Sequence, residues 1–228
     1  MTVPMRPQDL AIAQTVSTSS VFEVSGVYAR YGKRILDIAM ALTLAPAAIV
    51  LVALCALALL IQGQSPFYSQ LRLGQGGRAF RIWKLRTMRP DADVFLQQLL
   101  ATDPVRRAEW NSTQKLKDDP RITPIGAFLR KSSIDELPQL LNVLRGDMSM
   151  IGPRPMMLDQ APLYGAGLHY YLSLRPGISG KWQVTERNEA DFGRRAQIDA
   201  EYARGLTLAE DLSIVARTVT TILRSTGY

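Results

Sequence analysis

Two adjacent carboxylates, Asp135 and Glu136, are the residues of this chain whose type and spacing best suit catalysis. An ionised aspartate is a nucleophile that can take up a phosphoryl group, and its neighbour can act as a base or as a metal ligand. A helix that begins here would favour the ionised carboxylate. The loop Gly152–Pro155 follows, and its Arg154 stands between two prolines, which suits a rigid guanidinium that clamps phosphate.

The same carboxylates also have a purely structural explanation. Ser133 and Glu136 have the spacing of a capping box, or Asp135 is itself the N-cap with Pro138 inside the first turn. A buried stripe is predicted by leucines that follow at helical spacing: Leu137, Leu140, Leu141 and Leu144. A cap is the more common origin of such a pattern, so the spacing alone leaves both explanations open.

Basic side chains cluster upstream of the carboxylates. The chain has 27 lysines and arginines against 20 acidic residues, which gives a formal net charge of +7. Between Arg72 and Arg89 no acidic residue accompanies the basic ones: Arg72, Arg78, Arg81, Lys84, Arg86 and Arg89. Such a cluster favours phosphate, carried by nucleic acid, by anionic lipid headgroups or by a phosphorylated small molecule. A solvated basic face is the alternative.

The composition excludes several classes of protein. A chain of 228 residues that is 47% hydrophobic is long enough for one domain with an appendage and is not disordered throughout. One cysteine excludes an intramolecular disulfide framework, and one histidine with one cysteine excludes a zinc site of the His/Cys-cluster type. A metal ion here would be a hard cation such as Mg²⁺, held by carboxylate and phosphate oxygens.

The segment Ile38–Ile61 carries no charged residue. As a helix it would cover about 36 Å, more than the roughly 30 Å of a bilayer's hydrocarbon core. A signal peptide fits poorly, because the apolar run is too long and follows a polar stretch. Residues 1–29 are therefore interpreted as a flexible N-terminal tail, residues 30–62 as a membrane helix and residues 63–228 as the catalytic domain.

Two topologies remain open for this helix. Basic residues flank both of its ends, whereas the positive-inside rule places basic flanks in the cytoplasm. Pro46 removes a backbone hydrogen bond and can kink the helix, which would allow a re-entrant segment with both ends on one side. An ordinary span that tolerates its proline is the alternative.

The remainder predicts an α/β fold that is mostly α with a small β element. Strand-like pieces at Phe67–Ser69 and Ala79–Leu85 flank a glycine-rich turn and predict a hairpin. Helices are predicted at Asp91–Leu100, Val105–Leu116 and Pro124–Lys131, and an amphipathic helix at Leu208–Leu223. That last helix either packs on the core or lies in the headgroup layer, where it also offers an interface for a homo-oligomer.

From about Arg30 onward, the chain resembles the bacterial sugar transferases, the monotopic phosphoglycosyl transferases that load a sugar phosphate onto a polyprenyl phosphate. The resemblance rests on short motifs that occur together in this order: Lys33-Arg34 with Asp37, Lys84-Leu85-Arg86, Asp119-Pro120-Arg121, Leu129-Arg130, Asp135-Glu136-Leu137-Pro138, Gly152-Pro153-Arg154-Pro155 and Arg175-Pro176-Gly177. Each motif is weak alone, and the combination is specific.

The resemblance implies a kinked, re-entrant membrane helix that is broken at Pro46, and a catalytic domain with interfacial amphipathic helices on the cytoplasmic face of the bacterial inner membrane. It implies that Asp135 is the nucleophile and a Mg²⁺ ligand, and that Glu136 activates the acceptor. Substrate phosphates would be bound by five basic residues: Lys84, Arg86, Arg121, Arg130 and Arg154. The implied reaction moves a hexose 1-phosphate from a UDP-sugar to undecaprenyl phosphate, with Mg²⁺ as cofactor and without a nucleic-acid partner.

Two other interpretations compete with this one. The first is a membrane-tethered binding or regulatory protein that uses the basic cluster for anionic lipid or nucleic acid, with no special role for Asp135. The second is a single-pass protein whose soluble part lies outside the cell. The sequence does not name the sugar.

Overall fold

The computed structural model describes residues 21–113, 116–186 and 192–223. A short π-helical turn, Tyr28–Gly32, leads into a long apolar helix, α1 (Lys33–Ile61), which is followed by a β-hairpin of β1 (Phe67–Leu73) and β2 (Ala79–Leu85). The predicted hairpin is confirmed, and its first strand is longer than expected. Its register pairs Phe67 with Leu85 and Leu73 with Ala79.

The rest of the chain is mostly helical. The α-helices after the hairpin are α2 (Ala92–Thr102), α3 (Pro104–Thr113), α4 (Pro124–Ser132), α5 (Leu140–Arg145), α6 (Leu168–Ser173), α7 (Lys181–Thr185), α8 (Phe192–Arg204) and α9 (Leu208–Leu223). Two 3-10 segments, Ile134–Gln139 and Leu158–Gly167, lie between them. A second pair of strands, β3 (Ser149–Ile151) and β4 (Gly177–Ser179), is parallel and was not predicted. The fold is thus mostly α with small sheets.

Helix α1 packs along the domain at both of its ends. Near its start, Ala41 joins a buried cluster that contains Ile82 of β2 and Val143 of α5. Near its end, Leu59 is fully buried against Leu85 of β2 and Leu129 of α4. The opposite face of the helix remains exposed, because only 17% of its most apolar window is buried. By length and composition alone, Tyr28–Ile61 is the one helix of the described residues that could cross a membrane.

Pro46 does not interrupt this helix. Lys33–Ile61 is a single helix of 29 residues that continues through the proline, and it would extend for about 43 Å. Kinking and re-entry therefore stay predictions. Residues 21–29, the last part of the predicted tail, belong to the described structure. There Phe22 contacts Tyr170, with 4.8 Å between the ring centroids. Residues 1–20 lie outside the described residues.

Polar groups fix the start of α1 to the domain. Lys33 donates a hydrogen bond of 2.7 Å to Asp211 of α9 and one of 3.1 Å to the hydroxyl of Tyr202. One turn later, Asp37 accepts hydrogen bonds of 2.8 Å from the Ser149 hydroxyl and from the Met150 amide of β3. The charged residues at the entry of the apolar helix are therefore buried in the domain.

The predicted leucine stripe is wrong in part. Leu140 is buried, but Leu141 and Leu144 are 44% and 37% exposed. Because Pro138 lacks an amide hydrogen, the chain first forms a 3-10 turn, and α5 begins only at Leu140. This shift turns Asn142 toward the core instead.

Asn142 connects the hairpin to α5. Its side chain is fully buried, donates a hydrogen bond of 2.7 Å to the Arg81 carbonyl and accepts one of 3.2 Å from the Trp83 amide. Replacement by leucine would leave both backbone groups unsatisfied, so we expect Asn142→Leu to lower the free energy of unfolding by about 2–4 kcal/mol. Thermal unfolding in detergent measures this, with the exposed Asn111→Leu as the control. Equal melting temperatures for the two variants would contradict the assigned role.

Candidate active site

The hairpin presents polar side chains on one face. Side chains alternate along a strand and directly paired residues share a face. Lys84 lies opposite Tyr68 in the register, so it shares a face with Gln70 and Arg72 of β1. This alternation brings Lys84 to the carboxylates, because β2 packs against the 3-10 segment Ile134–Gln139.

The carboxylates lie in that 3-10 segment and not at the N-terminus of an α-helix. Ser133 adopts a left-handed conformation with φ of 57° and ends α4, so its side chain does not cap the next turn. The Glu136 amide donates to the Ser133 carbonyl instead, over 3.2 Å. Both predicted caps, the Ser133–Glu136 box and the Asp135 N-cap, are therefore wrong. The tight turn leaves the two carboxylates free to face β2 and the Arg154 loop.

Lys84 bridges the two carboxylates. Its Nζ lies 2.6 Å from Oε1 of Glu136 and 3.9 Å from Oδ2 of Asp135. From the other side, Nη2 of Arg154 lies 3.4 Å from the same Glu136 oxygen. Asp135 accepts no hydrogen bond from the described residues, and its side chain is 9% exposed. Glu136 is thus held in place, whereas the Asp135 carboxylate remains available to a substrate or a metal ion.

Burial sets the protonation of Asp135. Removal from water raises the pKa of this carboxyl, the Lys84 charge lowers it, and the neighbouring Glu136 raises it again. Arg130 and Arg154 lie close enough to lower it further. The net effect is a raised pKa, and the basic residues offset part of the cost of burying the ionised carboxylate, which is the form that a nucleophile requires.

The five predicted phosphate-binding residues have different surroundings. Lys84 and Arg154 contact the carboxylates, and the charge of Arg130 acts on Asp135 while its Nε donates over 2.9 Å to Thr87. Arg121 is 6% exposed and forms a two-pronged pair with Asp119, at 2.8 and 2.6 Å. Arg86 donates to the carbonyls of Ser65 and Phe67. The described structure does not bring Arg86 or Arg121 into contact with the carboxylates.

A family model described as bacterial sugar transferase matches residues 28–225. This match covers well over half of the chain and includes every residue of the site. The chain belongs to the bacterial sugar transferase family. Its N-terminal boundary coincides with the first helical turn of the structure, Tyr28–Gly32.

Individual bacterial sugar transferases from several species are similar to this chain. The exopolysaccharide production protein ExoY of Sinorhizobium fredii is 38% identical over 217 residues, which cover 92% of each protein. The undecaprenyl-phosphate galactose phosphotransferase of Salmonella typhimurium is 45% identical over 165 residues, 72% of this chain and 35% of that protein. The UDP-glucose:undecaprenyl-phosphate glucose-1-phosphate transferase of Caulobacter vibrioides is 38% identical over 84% of this chain and 69% of its own. The chain thus spans about a third of some relatives and nearly all of others.

Sequence reasoning did not assign a site role to two arginines of this sugar transferase. Arg72 lies on the same hairpin face as Lys84, and strand alternation would have found it had β1 been extended to Leu73. Arg195 of α8 donates a hydrogen bond to the carbonyl of Arg154. No pattern in the sequence singles it out from Arg194, and only the packing of α8 reveals it.

The carboxylates fit a hard metal ion only in combination with a substrate. Within the described residues, no group of three or more His, Cys, Asp or Glu side chains could hold a metal ion. Mg²⁺ commonly binds through one or two carboxylates together with substrate phosphates. Asp135 satisfies that requirement, since its oxygens have no hydrogen-bond donor in the described part of the chain.

We expect Asp135→Asn to leave the melting temperature at pH 7.5 unchanged or higher. Because burial raises the pKa of Asp135 in the folded state above its value in the unfolded chain, the folded state loses stability as the pH rises through that pKa. Asparagine removes this loss, so the gain should shrink as the pH falls toward about 4.

Glu136→Gln is the matched control. It removes the charge that Lys84 and Arg154 contact at 2.6 and 3.4 Å, so its melting temperature should fall. Thermal unfolding of the three proteins across this pH range checks both directions. A clear loss of stability in Asp135→Asn at pH 7.5 would contradict the conclusion that burial of the ionised Asp135 carboxylate costs stability.

Proposed function

We propose that this protein transfers a hexose 1-phosphate from a UDP-sugar to undecaprenyl phosphate through a covalent aspartyl intermediate, as the first membrane step of exopolysaccharide synthesis. The observation that carries the proposal is the buried Asp135 carboxylate, which has no hydrogen-bond donor among the described residues and lies between Lys84 and Arg154. The names of the similar Salmonella and Caulobacter proteins, which specify sugar-phosphate transfer to undecaprenyl phosphate, support the substrate classes.

In the first half-reaction, an Asp135 oxygen attacks the β-phosphorus of the UDP-sugar. A bond forms between that oxygen and phosphorus, and the bond from phosphorus to the bridging oxygen breaks. The electron pair stays on the bridging oxygen, and UMP leaves. Lys84 and Arg154 offer the positive charge that phosphoryl transfer requires around the phosphorus.

In the second half-reaction, a phosphate oxygen of undecaprenyl phosphate attacks the same phosphorus. The bond to Asp135 breaks and the carboxylate is restored. Glu136 takes a proton that remains on the acceptor phosphate, and it is oriented for this by the 2.6 Å contact with Lys84 and the 3.4 Å contact with Arg154.

Mg²⁺ is the proposed cofactor. It would be held by Asp135 together with diphosphate oxygens of the donor, and when bound it would neutralise charge on those oxygens. Lys84 and Arg154 act on the same oxygens and orient them toward Asp135.

The packing of α1 supports a site at the membrane surface. Both ends of the helix contact the same domain, through Ala41 and Leu59, so an ordinary span would require that domain to extend across the bilayer. A re-entrant helix on the cytoplasmic face of the inner membrane keeps the domain on one side. α1 also packs against the 3-10 segment that carries Asp135, so a re-entrant α1 would bring the carboxylates close to the membrane surface.

Exposed apolar side chains near α1 support the same seating. α5, which packs against α1, exposes Leu141 and Leu144. On α9, Leu208, Leu212 and Val219 are 46%, 49% and 52% exposed. We propose that these residues lie in the headgroup layer, because contiguous exposed apolar surface marks a membrane or protein contact.

A transfer assay with labelled UDP-hexose, undecaprenyl phosphate and Mg²⁺ tests the chemistry. We expect Asp135→Asn to lower turnover by on the order of 10³-fold or more, because the nucleophile is lost. Mass spectrometry after donor alone should show the phosphosugar adduct in the wild type and in Glu136→Gln, but not in Asp135→Asn. Chelation with EDTA should stop turnover, and added Mg²⁺ should restore it.

The control is Asp91→Asn, an exposed carboxylate paired with Arg89 away from the site, which should keep full activity. Ordinary activity of Asp135→Asn would exclude the nucleophile assignment. Salt-sensitive lipid or nucleic-acid binding without any turnover would instead favour the binding or regulatory protein.

Topology is tested with single cysteines on the two sides of α1. In a Cys55→Ala background, we expect labels at Ser25 and at Ser65, both exposed, to react only from the cytoplasm. Pro46→Leu restores one helical hydrogen bond, so the helix should tend to cross and place one label outside, with loss of activity. Labels on opposite faces in the parent protein would exclude the re-entrant arrangement.

A further inference from the structure

Within the described residues, Arg72 is a largely buried arginine without a paired carboxylate. It lies on β1, and its Nη1 atom is buried with no hydrogen-bond partner among the described residues. None of the salt bridges within that part of the chain involves it. A buried, unpaired arginine is costly, so a group of this kind commonly marks a position where an anion binds.

Strand pairing and loop packing place Arg72 beside Arg154. The amide of Leu73, the next residue, donates a 3.0 Å hydrogen bond to the carbonyl of Met156, two residues after Arg154. Gln70, one step back on the same strand face, contacts the sulfur of Met157 at 3.5 Å. β1 therefore runs alongside the segment that follows the Gly152–Pro155 loop, and the side chain of Arg72 shares the face of Lys84.

Arg195 adds a third guanidinium. It is 7% exposed, and its Nη2 donates to the Arg154 carbonyl. Its Nε is buried without a hydrogen-bond partner in the described chain. Its guanidinium packs against aromatic rings of Trp182, Tyr164 and Phe192, with distances to the centroids of 5.2, 5.4 and 5.7 Å. These rings hold the cation in place.

Few carboxylates balance these three charges in the described part. Asp199 lies 3.9 Å from Nε of Arg195 and accepts a 2.8 Å hydrogen bond from Tyr164. Burial raises the pKa of Asp199 to about 6. The pKa of Arg72 is lowered to about 10, chiefly by burial, and the charges of Arg154 and Arg195 contribute to this lowering. An anion at this point would relieve the repulsion.

We propose that Arg72, Arg154 and Arg195 form a subsite for the phosphate of the leaving nucleotide. This inference rests on the proposed function. The position favours the water-soluble donor over the lipid acceptor: β1, which carries Arg72, and α8, which carries Arg195, both pack against the 3-10 segment Leu158–Gly167, whereas α1 packs against β2, β3 and the Asp135 segment.

The subsite would stabilise the charge that develops during the first half-reaction. When the bond between the β-phosphorus and the bridging oxygen breaks, the electron pair moves to an oxygen of the α-phosphate, which leaves as the UMP phosphate with one more negative charge. Arg72 would receive that charge in a buried position, where its effect is larger than in water. Arg195 acts as a positioning residue for Arg154, because it holds the backbone carbonyl of that residue.

The test compares binding of UMP and of uridine, which lacks the phosphate, by calorimetry with the full-length protein. We expect Arg72→Gln to weaken UMP binding about tenfold or more, which is typical for loss of a charged hydrogen bond, and to leave uridine binding unchanged. In the transfer assay, the KM for the UDP-sugar should rise while the KM for undecaprenyl phosphate stays the same. Arg78→Gln, an exposed arginine at the end of the hairpin turn, is the control for net charge and should change none of these values.

Arg72→Lys is the second test variant, for use if Arg72→Gln does not fold. It keeps the charge but loses the planar fork, so the preference for UMP over uridine should fall by a smaller factor. Pyrophosphate binding is measured in parallel, since it reports on the anion site whether or not the protein transfers sugar phosphate. If the wild type neither transfers nor binds UMP, the proposed function fails, and Arg72-dependent pyrophosphate binding would still support an anion subsite.

Three results would overturn the subsite. The first is UMP and pyrophosphate binding that does not depend on Arg72. The second is an equal loss of UMP and uridine binding, which would indicate a structural role for the arginine. The third is a raised KM for undecaprenyl phosphate with an unchanged KM for the UDP-sugar, which would assign these arginines to the acceptor.

Discussion

The carboxylate of Glu136 contacts both Lys84 and Arg154 and so connects three segments that are distant in sequence. Lys84 belongs to β2, Glu136 to a 3-10 segment and Arg154, which contacts the same carboxylate oxygen, to the loop after β3. Because Glu136 holds both cations, Asp135 beside it stays without a hydrogen-bond donor in the described structure. Burial would protonate such a carboxyl, and the surrounding positive charge opposes this. The reactivity of one carboxylate thus depends on the fixed position of its neighbour.

The apolar helix α1 also helps to position the candidate site, because it contacts the strand that precedes the Arg154 loop. Asp37, one turn inside α1, binds the hydroxyl of Ser149 and the amide of Met150. β3 leads directly into the loop that carries Arg154, so the position of this loop depends on α1. Lys33 adds a buried pair with Asp211 of α9. A movement of α1 would therefore reach the site through β3.

The sequence predicted the elements better than the way in which they meet. The hairpin, the carboxylate pair and Lys84 followed from alternation and from motif order, because these depend on neighbours along the chain. The helix expected at Asp135 did not form as a capped α-helix, since Ser133 is left-handed and Pro138 delays α5 to Leu140. Arg121, a predicted phosphate ligand, pairs with Asp119, and its contact with phosphate stays a prediction. Arg195 entered the site only through the packing of α8, which no local pattern encodes.

The positions of these residues give a physical reason for a covalent intermediate under the proposed function. α1 packs against β2 and the Asp135 segment, whereas Arg72 on β1 and Arg195 on α8 belong to elements that pack against the 3-10 segment Leu158–Gly167. A lipid-bound acceptor approaches from the membrane, whereas a water-soluble nucleotide must leave in the opposite direction. Direct transfer would require both substrates around one buried carboxylate pair at the same time, with their phosphates repelling each other. If Asp135 keeps the phosphosugar while UMP departs, the acceptor meets a site with less negative charge, so the order of substrates follows from electrostatics.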